Sequence, residues 1–171
     1  MVLNADGGEV NVQLLEKVLK NIEYEQVEWY QGDWGRVPVD AGIEKYVDGF
    51  NDRFAVLNVD CGTAACFAGW TVLESGGKFV IDEWSLNETT KNGFNKLSVS
   101  MCVNQAGDLQ SIAQEAAKLL GLDEFTTSHL FDGDNDLDDL KEMVGYIIEN
   151  GSLKGFDEHD DDCSDNEDDD E

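Results

Sequence analysis

Residues 61–73, Cys-Gly-Thr-Ala-Ala-Cys-Phe-Ala-Gly-Trp-Thr-Val-Leu, are the longest uncharged stretch in a chain where 38 of 171 residues are Asp or Glu. A segment this free of charge in so acidic a sequence has to lie inside the fold, and the rest of the chain has to be arranged around it. Thr63 reads as the cap of a helix in which Ala64, Ala65, Ala68 and Gly69 let neighbouring backbones approach closely, while Cys66, Trp70 and Leu73 share a face. Ser75-Gly-Gly77 ends it. With 41% hydrophobic residues there is enough apolar mass to build a core around such a helix.

The flanking elements follow from periodicity. Asn11 caps an amphipathic helix with Val12, Leu15, Val18, Leu19 and Ile22 on one face, ending near Tyr24. Residues 27–58 mix aromatics with Gly32, Gly35 and Pro38 and fit either loop or short strand, with strand-like content at residues 55–59. Lys78-Phe-Val-Ile81 and residues 96–103 read as two strands, the second alternating Leu97, Val99, Met101 and Val103 with Ser98, Ser100 and Cys102. They are expected to form an antiparallel pair, with residues 82–95 as its long loop. Asp108 is placed as the cap of a helix through Leu109, Ile112, Ala116 and Leu120, stopped by Gly121. A shorter helix runs from Asp123 to Phe131, and a last one starts after Asp136 and stops at Asn150-Gly151. The expectation is an α+β fold: one mainly helical domain over residues 11–155, about five helices and a small antiparallel hairpin. A flexible N-terminus over 1–10 precedes it, and a disordered acidic tail over 156–171 follows.

Charge narrows the partners. Eleven Lys and Arg leave a net charge of -27, of which the last sixteen residues hold eleven acids and no base. Such a tail cannot bury anything. The body remains at -16 without it, so the two parts can act independently. A surface this negative repels phosphate backbones and anionic lipid, which excludes direct binding to nucleic acid or to a membrane surface. No stretch reaches the roughly 20 apolar residues of a membrane span, and the first residues lack the basic flank and apolar run of a secretory signal. The expected setting is the cytoplasm. A basic protein partner fits the charge, as does a role as nucleic-acid mimic.

The run CGTAACFAGW, followed by a helix ending in Leu119-Leu-Gly-Leu122 and then Leu130-Phe131, resembles a group of small uncharacterised bacteriophage proteins. These are similar in an N-terminal helix, a Cys-Gly-Thr-Ala-x-Cys-x-Ala-Gly-Trp/His segment and a late Leu-Gly-Leu…Leu-Phe element. The resemblance covers residues 11–150 and implies a phage origin, hence a host cytoplasm, and a shared fold built on Cys61, Gly62, Thr63, Cys66, Gly69 and Trp70. It implies no activity and leaves the tail outside.

Three chemistries compete for the remaining polar residues. A cysteine at a helix start suits a thiol nucleophile, which makes a thiol enzyme or redox-sensitive site centred on Cys66 one alternative. Against it, Cys66 lies a turn inside a helix capped at Thr63, and His129, the one histidine before the tail, sits in a helix beside Leu130 and Phe131. The four cysteines, Cys61, Cys66, Cys102 and Cys163, are spaced neither as a disulfide framework nor as paired zinc ligands. Second, Asp132, Asp134 and Asp136 match the first, third and fifth positions of a calcium loop, but Leu137 and Met143 stand where Gly and Glu are required. Both departures count against specific calcium binding, weak divalent association is expected of the acidic tail, and Asp136, Asp138 and Asp139 also suit the positive end of the last helix. No cofactor is called for.

Third, the acids serve an interaction surface for a basic host protein, a nucleic-acid-binding or defence protein. Candidate aromatic anchors are Trp29, Trp34 and Trp84. Candidate acids are Asp132, Asp134, Asp136, Asp138 and Asp139, together with Asp160, Asp161, Asp162, Asp168, Asp169 and Asp170 of the tail. The sequence favours this non-enzymatic reading, with binding or inhibition of the partner as its outcome.

Overall fold

The structure is a computed structural model and describes residues 1–24, 27–38, 47–51, 54–57, 63–82, 84–85, 92 and 96–156. Cys61, Gly62, Cys163 and the acids of the tail lie outside these residues. Along the described chain run α1 (Val12–Glu23), β1 (Glu28–Trp29), β2 (Gly35–Pro38), β3 (Val47–Asn51), β4 (Phe54–Leu57), β5 (Ala64–Ala65) and α2 (Phe67–Glu74). Then come β6 (Lys78–Asp82), β7 (Lys96–Val99), β8 (Met101–Val103), β9 (Leu109–Ser111), α3 (Ile112–Leu120), α4 (Glu124–Leu130) and α5 (Leu137–Asn150).

The class is α+β, but neither mainly helical nor built on a single hairpin. The described strands form two sheets, one ordered β1-β5-β2-β7 and the other β3-β4-β6-β8-β9, antiparallel throughout except for the β1–β5 pair. The expected pairing of the segments at 78–81 and 96–103 is present as β6 against β8, with Phe79 opposite Cys102. What reads as one strand over 96–103 is two, because the chain leaves the first sheet after Val99 and enters the second at Met101. The alternation breaks at that crossing: Leu97 and Val99 face the main core, then Cys102 takes the core side, and Val103 joins Val56 and Val80 on the opposite face of the second sheet.

Two helix starts move. Ala64–Ala65 are β5, bridging β1 and β2, so α2 begins after Cys66 rather than after Thr63. Leu109–Ser111 are β9, paired with β8, so α3 is capped by the Ser111 hydroxyl, which accepts from Gln114 N–H, and not by Asp108. The caps at Asn11, Asp123 and Asp136 stand where expected, as do the C-terminal glycines Gly121 and Gly151.

α2 is the buried centre: Phe67, Ala68, Gly69, Thr71 and Val72 are shielded from solvent, and α1 and α3 pack against it. The two sheets meet beside it, where the Phe79 ring lies on Gly35 of β2 and would stand 2.6 Å from any Cβ there. Residues 1–10, expected as a flexible N-terminus, are docked. Val10 is buried and donates to Val2 O at 2.8 Å, and the Asn4 amide donates to Gly121 O at 2.8 Å. Gly121 has φ +67, and a Cβ on it would fall 2.0 Å from Glu9 O, so the α3 stop and the N-terminal docking share one glycine.

Candidate interaction surface

The loop between β1 and β2 is fixed from below by Gln31, which is buried. Its Oε1 accepts from the Trp29 indole N–H and from Phe67 N–H at the start of α2, each at 3.1 Å, and its Nε2 donates to the carbonyls of Leu130 and Asp132 at 3.2 and 3.0 Å. One side chain thus ties three segments far apart in sequence, and it does so with its hydrogen-bonding capacity almost fully engaged. The loop is also pinned by Cys66 N–H on Asp33 O and by Tyr30 N–H on Ala65 O, both at 3.0 Å. At Gly69 the α2 backbone touches the loop directly: a Cβ there would stand 1.9 Å from Trp34 O. The small residues of the 61–73 run are what permit this contact.

Above this base the loop presents Trp34 and Tyr30. Trp34 is 36% exposed and sets its ring edge-on to Phe131, centroids 6.3 Å apart at 88°. The Arg36 guanidinium lies 4.1 Å over the exposed Tyr30 ring and pairs with Asp33 through Nε at 2.8 Å and Nη2 at 2.6 Å. Phe131 leads straight into the acidic segment. Gly133 lies beside Gly32, and Asp132, Asp134, Asp136, Asp138 and Asp139 all stand exposed after it, five acids in eight residues without a base.

This segment has a defined conformation. Asp132 accepts from Asp134 N–H, Asn135 donates to the carbonyls of His129 and Leu130, and Asp136 and Asp139 form a reciprocal capping box at the start of α5. Lys141, bonded to Asp138 at 3.0 Å, has its pKa raised by that bond. Several of these carboxylates therefore already bond backbone N–H groups, the helix-capping role open to them from sequence. Among the described residues no group of three or more His, Cys, Asp or Glu is placed to hold a metal ion.

The structure brings Trp34 to the acidic segment and gives the other tryptophans different surroundings. Trp29 is half-buried with its N–H turned to Gln31, and Trp70 is half-buried with its N–H on Glu28 O at 3.1 Å. Trp84 is 72% exposed and follows β6, where Asp82 accepts from Ser85 N–H and O–H; these bonds hold the Asp82 carboxyl below the usual range. Gln31 and Phe131 carry no sequence signal for the surface, since their roles arise from contacts across some hundred residues, whereas Tyr30 and Arg36 pair within the loop itself.

Cys66 is the N-cap residue of α2, not a residue a turn inside it, but it is only 1% exposed. Burial pushes its thiol up to about 11, outweighing the backbone N–H groups of Gly69, Ala68 and Cys66 itself. Its Sγ lies 3.8 Å from Trp34 O, and His129 has its Nδ1 2.9 Å from Phe125 O of its own helix. Thr63 is buried, with its hydroxyl lacking a hydrogen-bond partner among the described residues.

No family model matches the chain, and neither a curated protein nor a solved structure matches it.

Proposed function

We propose that this is a non-enzymatic, phage-type acidic protein that binds a basic host protein through the surface formed by Trp34, Tyr30 and the acids at 132–139. The observation that carries the reading is the seating of a part-exposed Trp34, braced by the α2 backbone and edge-on to Phe131, the residue that leads into a segment with five exposed aspartates. The two components act differently. A Trp at the centre of an interface supplies buried area and affinity, whereas the acids accelerate encounter and select a partner of opposite sign. The partner class is a nucleic-acid-binding or defence protein of the host, with carboxylates standing where phosphates would; binding blocks its groove. The cytoplasm of the host is the corresponding setting, and it is in keeping with this that no helix among the described residues is long and apolar enough to cross a membrane.

The test is capture from host lysate with the full chain and with a chain ending at Gly155, eluted along a salt gradient. Retention of the same basic protein by both supports a surface on the folded body. Retention by the full chain alone assigns binding to the tail and removes the role given to Trp34.

A further inference from the structure

A second feature lies at the other end of α2. Between the end of that helix, the β8–β9 turn and α3 is a recess of about 360 Å³, within the size range of small-molecule sites. Val72 and Leu119 supply apolar wall, and Ser75, Asn104, Gln105 and Glu115 supply polar groups. Glu115 is the unusual member: it is 5% exposed, yet its carboxylate accepts no hydrogen bond among the described residues. Among the described residues it pairs with Lys118 Nζ at 3.9 Å, beyond hydrogen-bond reach and on a side chain 72% exposed. The neighbouring Cys102 thiol registers the carboxylate, being pushed up to about 11 by burial and by the charge on Glu115.

A carboxylate set in so enclosed a place, accepting no hydrogen bond from the described residues, is a strong acceptor for a cation that enters the recess. The other polar groups are partly engaged in holding the walls. Gln105 Nε2 donates to Ser75 O, Ser75 Oγ donates to Thr71 O, and Asn104 Oδ1 accepts from Ala106 and Asp108 N–H. They give the recess a fixed shape rather than a second charge. A bare metal ion needs several anionic or carbonyl ligands, and here there is a single carboxylate with apolar wall on either side.

We propose that this recess binds a primary ammonium carried on a short alkyl stem, the ammonium on Glu115 and the stem along Leu119. Such a group comes either from a free amine or from a lysine side chain of a partner protein. The site is independent of the Trp34 surface and stands or falls separately from it.

The experiment is an amide-resolved NMR titration of the full chain with n-butylammonium, and separately with N-acetyl-lysine methylamide, at constant ionic strength. Saturable shifts at Gly77, Gln105 and Ala106 are expected, reduced about tenfold in affinity by Glu115→Gln. Lys118→Met, which leaves the carboxylate and removes its solvated neighbour, should bind at least as well as the parent. Ala106→Phe, at the exposed rim, should block entry without touching the core and serves if the Glu115 variant does not fold. Tighter binding of the lysine amide identifies a protein side chain as the source, and tighter binding of butylammonium a free amine; both support the site. Absence of saturation, or equal shifts from sodium chloride, or unchanged binding in Ala106→Phe, overturns it.

Discussion

At position 69 a single methyl group decides whether α2 can sit against the loop that carries Trp34. It would stand 1.9 Å from Trp34 O and 2.7 Å from Ala65 Cβ, both held by backbone and not by a flexible side-chain end. Gly69→Ala is expected to destabilise the protein by about 3 kcal/mol, seen as a lower urea midpoint. The sequence announces close approach here through its run of small residues, but it does not say which backbone approaches. Gln31 is the opposite case, a polar residue in a glycine-rich loop with nothing local to mark it, whose importance comes from partners near residues 67, 130 and 132. The thiols are the third residue-scale test. Cys66 and Cys102 are buried with pKa values raised to about 11, so at pH 8 roughly one part in a thousand of each is thiolate. Peptide mapping after iodoacetamide treatment should find both unlabelled in the folded chain and labelled in urea; rapid labelling of Cys66 in the folded chain would revive a thiol mechanism.

Among the elements, helix ends were legible wherever a capping side chain and a long apolar period coincide. Asn11 and Asp136 satisfy that condition and cap helices as read, and Gly121 and Gly151 end two helices as left-handed glycines behind such periods. The misread starts, at Thr63 and Asp108, share one cause: a strand of two or three residues stands directly before the helix, too short to show a period of two and continuous with the helical pattern behind it. The crossing between sheets at Ser100 was hidden for the same reason. Short strands take their identity from partners elsewhere in the chain, so the first sheet was largely illegible, whereas the β6–β8 pair of the second was read.

Asp123 allows a quantitative test at this scale. Burial raises its carboxyl, but the bonds from Thr126 N–H, from the Ser152 and Thr126 hydroxyls and the charge on Lys154 outweigh it, leaving the group below its ordinary value. A carboxyl depressed on folding contributes stability that is present above its unfolded pKa, about 3.9, and is lost as pH falls through its folded value. Asp123→Asn should therefore cost about 1–2 kcal/mol in urea unfolding at pH 7, with the difference from the parent shrinking towards pH 3. A difference that does not change with pH would assign the cost to shape rather than charge.

For the whole molecule, the net charge of -27 excludes more than it selects. The acids were visible from the start, as were the aromatic candidates. Their arrangement was not, because Trp34 and Asp132 are a hundred residues apart and meet through Gln31 and Phe131. The folded body supplies what charge alone lacks, a rigid aromatic group at the edge of an acidic segment. Screening at physiological salt acts over about 8 Å, so the acidic contribution should fade as salt is added while the Trp34 contribution persists. The most direct test is the affinity of a captured basic partner for the full chain and for Trp34→Ala, each measured at low and high salt. The account predicts a loss of at least about tenfold on removing Trp34 at both salt concentrations, on top of a steep fall with salt in the parent. Equal affinity of the two chains at both salts would contradict it.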